Sequence, residues 1–228
     1  FADKDDPLFA DHCIVERIMK DGQHLIYDTS SGFVYDKKLT NKTEITVETL
    51  AGIKNLKLNI VNGKVETVTV DMGKPILDPE KIPVISNEDI VKNLEIQVLD
   101  KNFKFTCVSM GNPHCVVFVE DVEAFPIMEY GPLFETNEKF PKKTNTEFAQ
   151  IIDDSHIRMR VWERGAAVTL ACGTGSCATL TAAVLNGLTG RKAEIRLDGG
   201  SLVVEWAENN HLYMTGPAEL VFSGIADI

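Results

Sequence analysis

Thr169-Leu170-Ala171-Cys172-Gly173-Thr174-Gly175-Ser176-Cys177-Ala178-Thr179-Leu180 places a cysteine directly before a small-residue turn and an apolar helix. From Gly175 to Leu185 every residue is small or apolar and none is charged. A helix of that kind is buried on most sides and belongs at a domain centre. Gly173 and Gly175 let the backbone turn tightly and leave its N–H groups uncovered. Uncovered N–H groups at a helix start attract anions, and the macrodipole adds to the attraction. A thiol at such a place is expected to have a lowered pKa and to serve as a base or nucleophile. On spacing alone, a plain turn before a core helix with a buried cysteine reads the same way. The rest of the chain has to decide.

Working outward, strands flank this helix on both sides. Glu44–Thr49 alternates as a half-buried strand, Leu56–Ile60 is another, and Asn62-Gly63 is a hairpin signal leading into Lys64–Val70. Residues 72–83 hold three prolines and read as a connection, expected to lie between domains. Strands resume at Leu94–Leu99, Phe103–Met110 and Cys115–Val119. Val122–Glu135 has room for a helix, interrupted by Pro126 and Gly131-Pro132. Further strands are expected at Thr146–Ile152, Ile157–Trp162, Ala193–Leu197, Leu202–Trp206 and His211–Met214. Residues 1–31 give no clear pattern. The fold class is α+β, with a curved antiparallel sheet wrapped around the central helix.

Bulk properties exclude several functions. A net charge of −11 and a pI near 4.9 disfavour nucleic acid and anionic membrane surfaces as partners. No apolar run approaches transmembrane length, and the acidic start Phe1–Asp6 is unlike a signal peptide. The five cysteines are Cys13, Cys107, Cys115, Cys172 and Cys177. An odd count without a regular framework implies reduced thiols and a cytoplasmic setting. Their spacing matches no zinc motif, so no metal is expected. Neither a dinucleotide fingerprint nor a phosphate loop is visible, and no lysine has a pyridoxal phosphate setting, so no cofactor is expected.

Three polar stretches interrupt this apolar framework. Gly111-Asn112-Pro113-His114 lies between two core strands. Lys143-Thr144-Asn145 precedes a strand, and Trp162-Glu163-Arg164-Gly165 ends one, a few residues before Cys172. Each alone is an ordinary loop. An arginine at a strand end beside a cysteine pocket is nevertheless well placed to fork onto a carboxylate.

Together with Cys172-Gly173-Thr174-Gly175 and Tyr213-Met214-Thr215-Gly216, these stretches closely resemble diaminopimelate epimerase, in order and in spacing. The resemblance runs from Gly32 to the C-terminus. It implies two similar domains, each an antiparallel sheet around a helix, with the active site in the cleft between them. The expected first domain is 1–71, joined by a returning strand at 217–228, and the second is 72–216. It further implies cofactor-independent conversion of LL- to meso-diaminopimelate, a step toward lysine and peptidoglycan precursors. Two cysteines face the α-carbon from opposite sides, and Cys172 matches the second-domain one. By the same resemblance Gly173 and Thr174 give N–H groups to the α-carboxylate. Glu163 and His114 hold the α-amine or tune the thiols, and Asn112, Asn145 and Arg164 contact the distal end. A small-molecule substrate is the implied partner, and a homodimer is left open.

Two departures matter. Ala167-Val168 stands where the family usually has Gly-Glu. The family's opening motif, and its first-half Cys-Gly-Asn-Gly motif with the other base, are absent; Cys13 has no comparable glycine setting. The sequence is therefore expected to omit segments of a complete enzyme. The competing reading is a non-catalytic amino-acid-binding relative, and a weaker one is another amino-acid racemase of the same fold.

Overall fold

The computed structural model describes residues 14–18, 24–28, 43–49 and 52–218. The chain divides into two compact units, Phe1–Val70 with Thr215–Ile228, and Asp71–Met214.

In the first unit, β1 (Ile14–Ile18) pairs antiparallel with β2 (His24–Asp28). β3 (Glu44–Thr49), β4 (Gly52–Val61) and β5 (Lys64–Gly73) follow as an antiparallel meander. The expected hairpin turn is present. Asn62 and Gly63 both have positive φ, at 52° and 75°, which matches the right-handed twist of the strands they join. Leu56, Leu58, Val68 and Val70 are the buried face. The alternation of apolar and polar residues that marked these strands is thus the alternation of the pleat.

The second unit holds β6 (Leu94–Val98), β7 (Lys101–Ser109), β8 (Pro113–Phe118) and α1 (Ile127–Glu135). β9 (Asn145–Asp153), β10 (His156–Glu163), β11 (Ala167–Thr169) and α2 (Gly173–Leu185) come next. β12 (Lys192–Leu197), β13 (Gly200–Trp206) and β14 (Leu212–Pro217) complete it. Strand order is β14-β13-β12-β10-β9-β8-β7-β6, with β11 paired to β10. Most neighbours are antiparallel, as expected. Two pairings, β8 with β9 and β10 with β12, are parallel. Each parallel pair is bridged by a helix, α1 in one case and α2 in the other. Parallel neighbours need such a crossover, and local strand patterns carry no information about it.

α2 packs against β7, β8, β9, β12 and β13, so the sheet curves around it. Cys177, Ala178, Leu180, Ala182 and Ala183 are fully buried along it. The helix ends in a Schellman motif: Leu188 N–H bonds Ala183 O and Gly187 N–H bonds Val184 O. Gly187 supplies the required positive φ of 69°.

α1 does not break at Gly131-Pro132, contrary to the sequence expectation. Pro132 lies inside the helix, and packing outweighs its missing N–H. Tyr130 and Phe134 enter a core with Phe105, Phe148 and Trp162. Gly131 lies on the indole of Trp162, where an added Cβ would come within 2.5 Å of the ring. Residues 74–93, which include most of the stretch 72–83 read from sequence as a connection, form no strand, yet Ile82, Val84 and Val91 are buried in this same core.

Candidate active site

Strand parity decides which side chains meet α2. In β8, Cys115 and Val117 enter the core around α1, while Val116 packs with Ala178 and Ala182 of α2. His114 shares the parity of Val116. In β9, Phe148 goes to the α1 core and Ala149 to the α2 core, and Glu147 shares the parity of Ala149. In β10, Trp162 and Val161 divide the same way, and Glu163 shares the parity of Val161. Side chains two residues apart on a strand line one face. Three titratable groups from three adjacent elements therefore collect on the face that carries α2. All three are buried.

Cys172 is the N-cap of α2. Its sulfur accepts a hydrogen bond from the Gly175 amide at 3.3 Å and lies 3.6 Å from the Thr174 hydroxyl. Its carbonyl takes the Ser176 amide and hydroxyl, both at 2.9 Å. The helix-start setting read from the sequence is therefore real. The expected lowering of the thiol pKa is not. Burial pushes the Cys172 thiol well above the ordinary thiol range, and the charges of Glu163 and Glu147 push it further. The Thr174 hydroxyl and the Gly175 amide pull the other way and do not prevail. Sequence position showed the helix end but not the two carboxylates that face it.

The other expected site residues converge on the same loops. His114 Nδ1 lies 2.7 Å from Glu147 Oε1, and its Nε2 lies 3.0 Å from Asn112 Oδ1. Asn112 Nδ2 donates to Thr174 Oγ1 at 3.3 Å. Thr169 Oγ1 donates to Glu163 Oε1. Asn145 directs its amide to the backbone: Nδ2 donates to Pro113 O at 3.0 Å, and Oδ1 accepts from Arg164 N–H at 2.8 Å. It thus ties together the loops that bear His114 and Arg164. Arg164 Nη1 donates to Lys142 O at 3.1 Å. Among the described residues, no group of three or more His, Cys, Asp or Glu is placed to hold a metal ion, and no helix is long and apolar enough to cross a membrane.

Comparison with known proteins identifies the family. The family model for diaminopimelate epimerase matches residues 106–221, which contain every group just described. The diaminopimelate epimerase of Methanococcus maripaludis (strain C5 / ATCC BAA-1333) is 60% identical over 197 residues, covering 86% of this chain and 71% of that protein. The chain belongs to the diaminopimelate epimerase family. The diaminopimelate epimerase of Acetivibrio thermocellus is 54% identical, with 86% of this chain and 70% of that protein covered. Among solved structures, a hydroxyproline epimerase from Agrobacterium vitis superposes with a TM-score of 0.57 at 14% identity, covering 90% of this chain and 71% of that one. At that identity the likeness concerns the fold.

Membership in the diaminopimelate epimerase family makes Ala167 informative. It stands where the sequence comparison expected glycine, and its φ is 62°. A side chain in the left-handed region costs roughly 1–2 kcal/mol. Ala167→Gly is therefore expected to stabilise the fold by about 1 kcal/mol, raising Tm by roughly 2–4 °C in thermal denaturation. A lower Tm would show that the strain is absent.

Sequence reading missed Glu147. The local signal is slight: Glu147 lies inside an expected strand, and its burial shows only when Phe148 and Ala149 are assigned to opposite faces.

Proposed function

We propose that this isomerase epimerises diaminopimelate at an α-carbon, with Cys172 as the acid–base group on one face of that carbon. The observation that carries the reading is the position of the Cys172 sulfur. It caps a buried helix, accepts the Gly175 amide, and is flanked by the buried carboxylates of Glu163 and Glu147. With its pKa raised, the thiol holds its proton in the resting site and is poised as a donor. A bound α-ammonium brings a positive charge that offsets the carboxylates and favours the thiolate, the form that removes the α-proton. The electron pair left on the α-carbon delocalises into the α-carboxylate. N–H groups at the start of α2, Gly173 and Thr174 among them, stabilise the growing negative charge there. The thiolate becomes a thiol, and a second group on the opposite face returns a proton. The family resemblance assigns that group to another cysteine. Cys107, Cys115 and Cys177 are all fully buried and are not candidates for it.

Glu163 is assigned to the α-ammonium and His114 to the Cys172 surroundings. Asn112, Asn145 and Arg164 are assigned to the distal end of the substrate. No cofactor is needed, because two thiols and an anion cradle account for the proton traffic.

The test is specificity. A site built to hydrogen-bond a distal amino-acid group rejects an analogue lacking part of it by roughly 10⁴-fold. Lysine lacks the distal carboxylate. Solvent deuterium uptake at the α-carbon is expected to be about 10⁴-fold slower for lysine than for diaminopimelate. Comparable rates would remove the assignment of the distal residues.

A further inference from the structure

We propose that Glu147 is a positioning residue of this isomerase, holding the His114 ring and laying a second buried carboxylate against the first turn of α2 beside Cys172. The inference rests on the reading of Cys172 as an acid–base group. It concerns a residue outside every motif that suggested the function.

Three observations support it. Glu147 is fully buried, and its Oε1 lies 2.7 Å from His114 Nδ1. The other oxygen, Oε2, is buried and has no hydrogen-bond partner among the described residues. A carboxylate kept out of water with one oxygen unmatched is costly, and a residue serving only to fill space would be apolar. The third observation is Gly175. A Cβ there would stand 2.7 Å from Glu147 Oε1 and 3.1 Å from Cys172 Sγ. Only a residue without a side chain lets the carboxylate, the sulfur and the helix start come this close. The Gly175 amide that donates to the sulfur is therefore part of the turn that Glu147 presses on.

A second route connects the same two residues. Glu147 holds Nδ1 of His114; Nε2 meets Asn112 Oδ1; Asn112 Nδ2 donates to Thr174 Oγ1; and Thr174 Oγ1 lies beside Cys172 Sγ. In the orientation that Asn112 adopts, its carbonyl oxygen is the atom that faces Nε2, and its amide group is the one that faces Thr174. Freeing the ring would release the whole row. Among the described residues, the charged or titratable groups facing Cys172 are Glu163 from the end of β10, Glu147 from β9 and, through Asn112 and Thr174, His114 from β8. Glu147 acts through its charge and its grip on His114; neither needs contact with the substrate.

Glu147→Gln keeps the shape and a hydrogen-bonding group for Nδ1 but removes the charge. Two readouts apply. Alkylation of Cys172 by iodoacetamide, followed by peptide mass spectrometry across pH, is expected to set in at lower pH than in the unaltered protein, because one of the two carboxylates holding the thiol protonated is gone. Steady-state turnover of diaminopimelate is expected to show kcat about tenfold or more lower with KM within about threefold. A residue needed only for packing would lower Tm and leave the alkylation profile in place; that outcome overturns the proposal, as does an unchanged kcat. If Glu147→Gln does not fold, Glu147→Met, of similar length and apolar, carries the same two measurements. Alkylation requires no turnover, so it tests Glu147 even if the assignment of Cys172 to catalysis fails.

Discussion

Cys172→Ala is expected to lower the rate of diaminopimelate epimerisation by about a thousandfold or more, the usual range for loss of a proton-transfer group. Stability is expected to change by only about 1 kcal/mol, since one sulfur at a helix cap is lost and a single amide, that of Gly175, loses its acceptor. Cys177→Ala provides the contrast. Cys177 lies further along α2, fully buried, and packs in the α2 core with Leu180 and Ala183. Its loss costs packing, about 1 kcal/mol, and leaves turnover nearly intact. Retention of turnover in Cys172→Ala with loss in Cys177→Ala would reverse the assignment.

His114→Leu is the substitution expected to cost the fold most. The ring is fully buried between Glu147 and Asn112. Removing it leaves Glu147 with both oxygens unmatched in the interior. Stripping one partner from a buried polar pair typically destabilises by about 3–5 kcal/mol. Chemical denaturation is expected to show that loss as a lower midpoint with an unchanged slope. The double variant His114→Leu with Glu147→Leu is expected to recover a large part of it, because the uncompensated carboxylate is gone as well. Simple additivity of the two single variants would mean that the pair is not coupled. Both proteins are expected to be poor enzymes, so recovered stability without recovered activity separates the two contributions.

Much of this site was legible in the sequence because helix starts and strand ends have local signatures. Cys172 before Gly173-Thr174-Gly175 announced a buried helix with exposed amides. The placement of Asn112, His114, Asn145 and Glu163 on adjacent loops and strands followed from order along the chain and from the family resemblance. What escaped depends on contacts distant in sequence. The thiol pKa does not follow from the helix start because burial raises it most, and Glu163 and Glu147, which approach Cys172 only after β9 and β10 pair, raise it further. Glu147 itself looked like one more strand residue, since the alternation that buries it is visible only once Phe148 and Ala149 are assigned to opposite faces. The amide of Asn145 also joins Pro113 and Arg164, a bond between loops that no spacing announces. Residue parity also could not show that β8–β9 and β10–β12 run parallel, because a crossover helix is compatible with either neighbour. Pro132 is a helix breaker on local grounds, and tertiary packing of Tyr130 and Phe134 overrides it. Cys13 and the opening segment 1–13 lie outside the described residues.

The central claim is that the Cys172 sulfur handles the α-proton. Its most direct measurement is inactivation by iodoacetamide, followed in one sample by residual epimerase activity and by peptide mass spectrometry at each cysteine. Activity is expected to fall in proportion to carbamidomethylation of Cys172, one modification per inactivated site, with diaminopimelate protecting both. Full modification at Cys172 with turnover intact, or inactivation that follows Cys107, Cys115 or Cys177 instead, would contradict it.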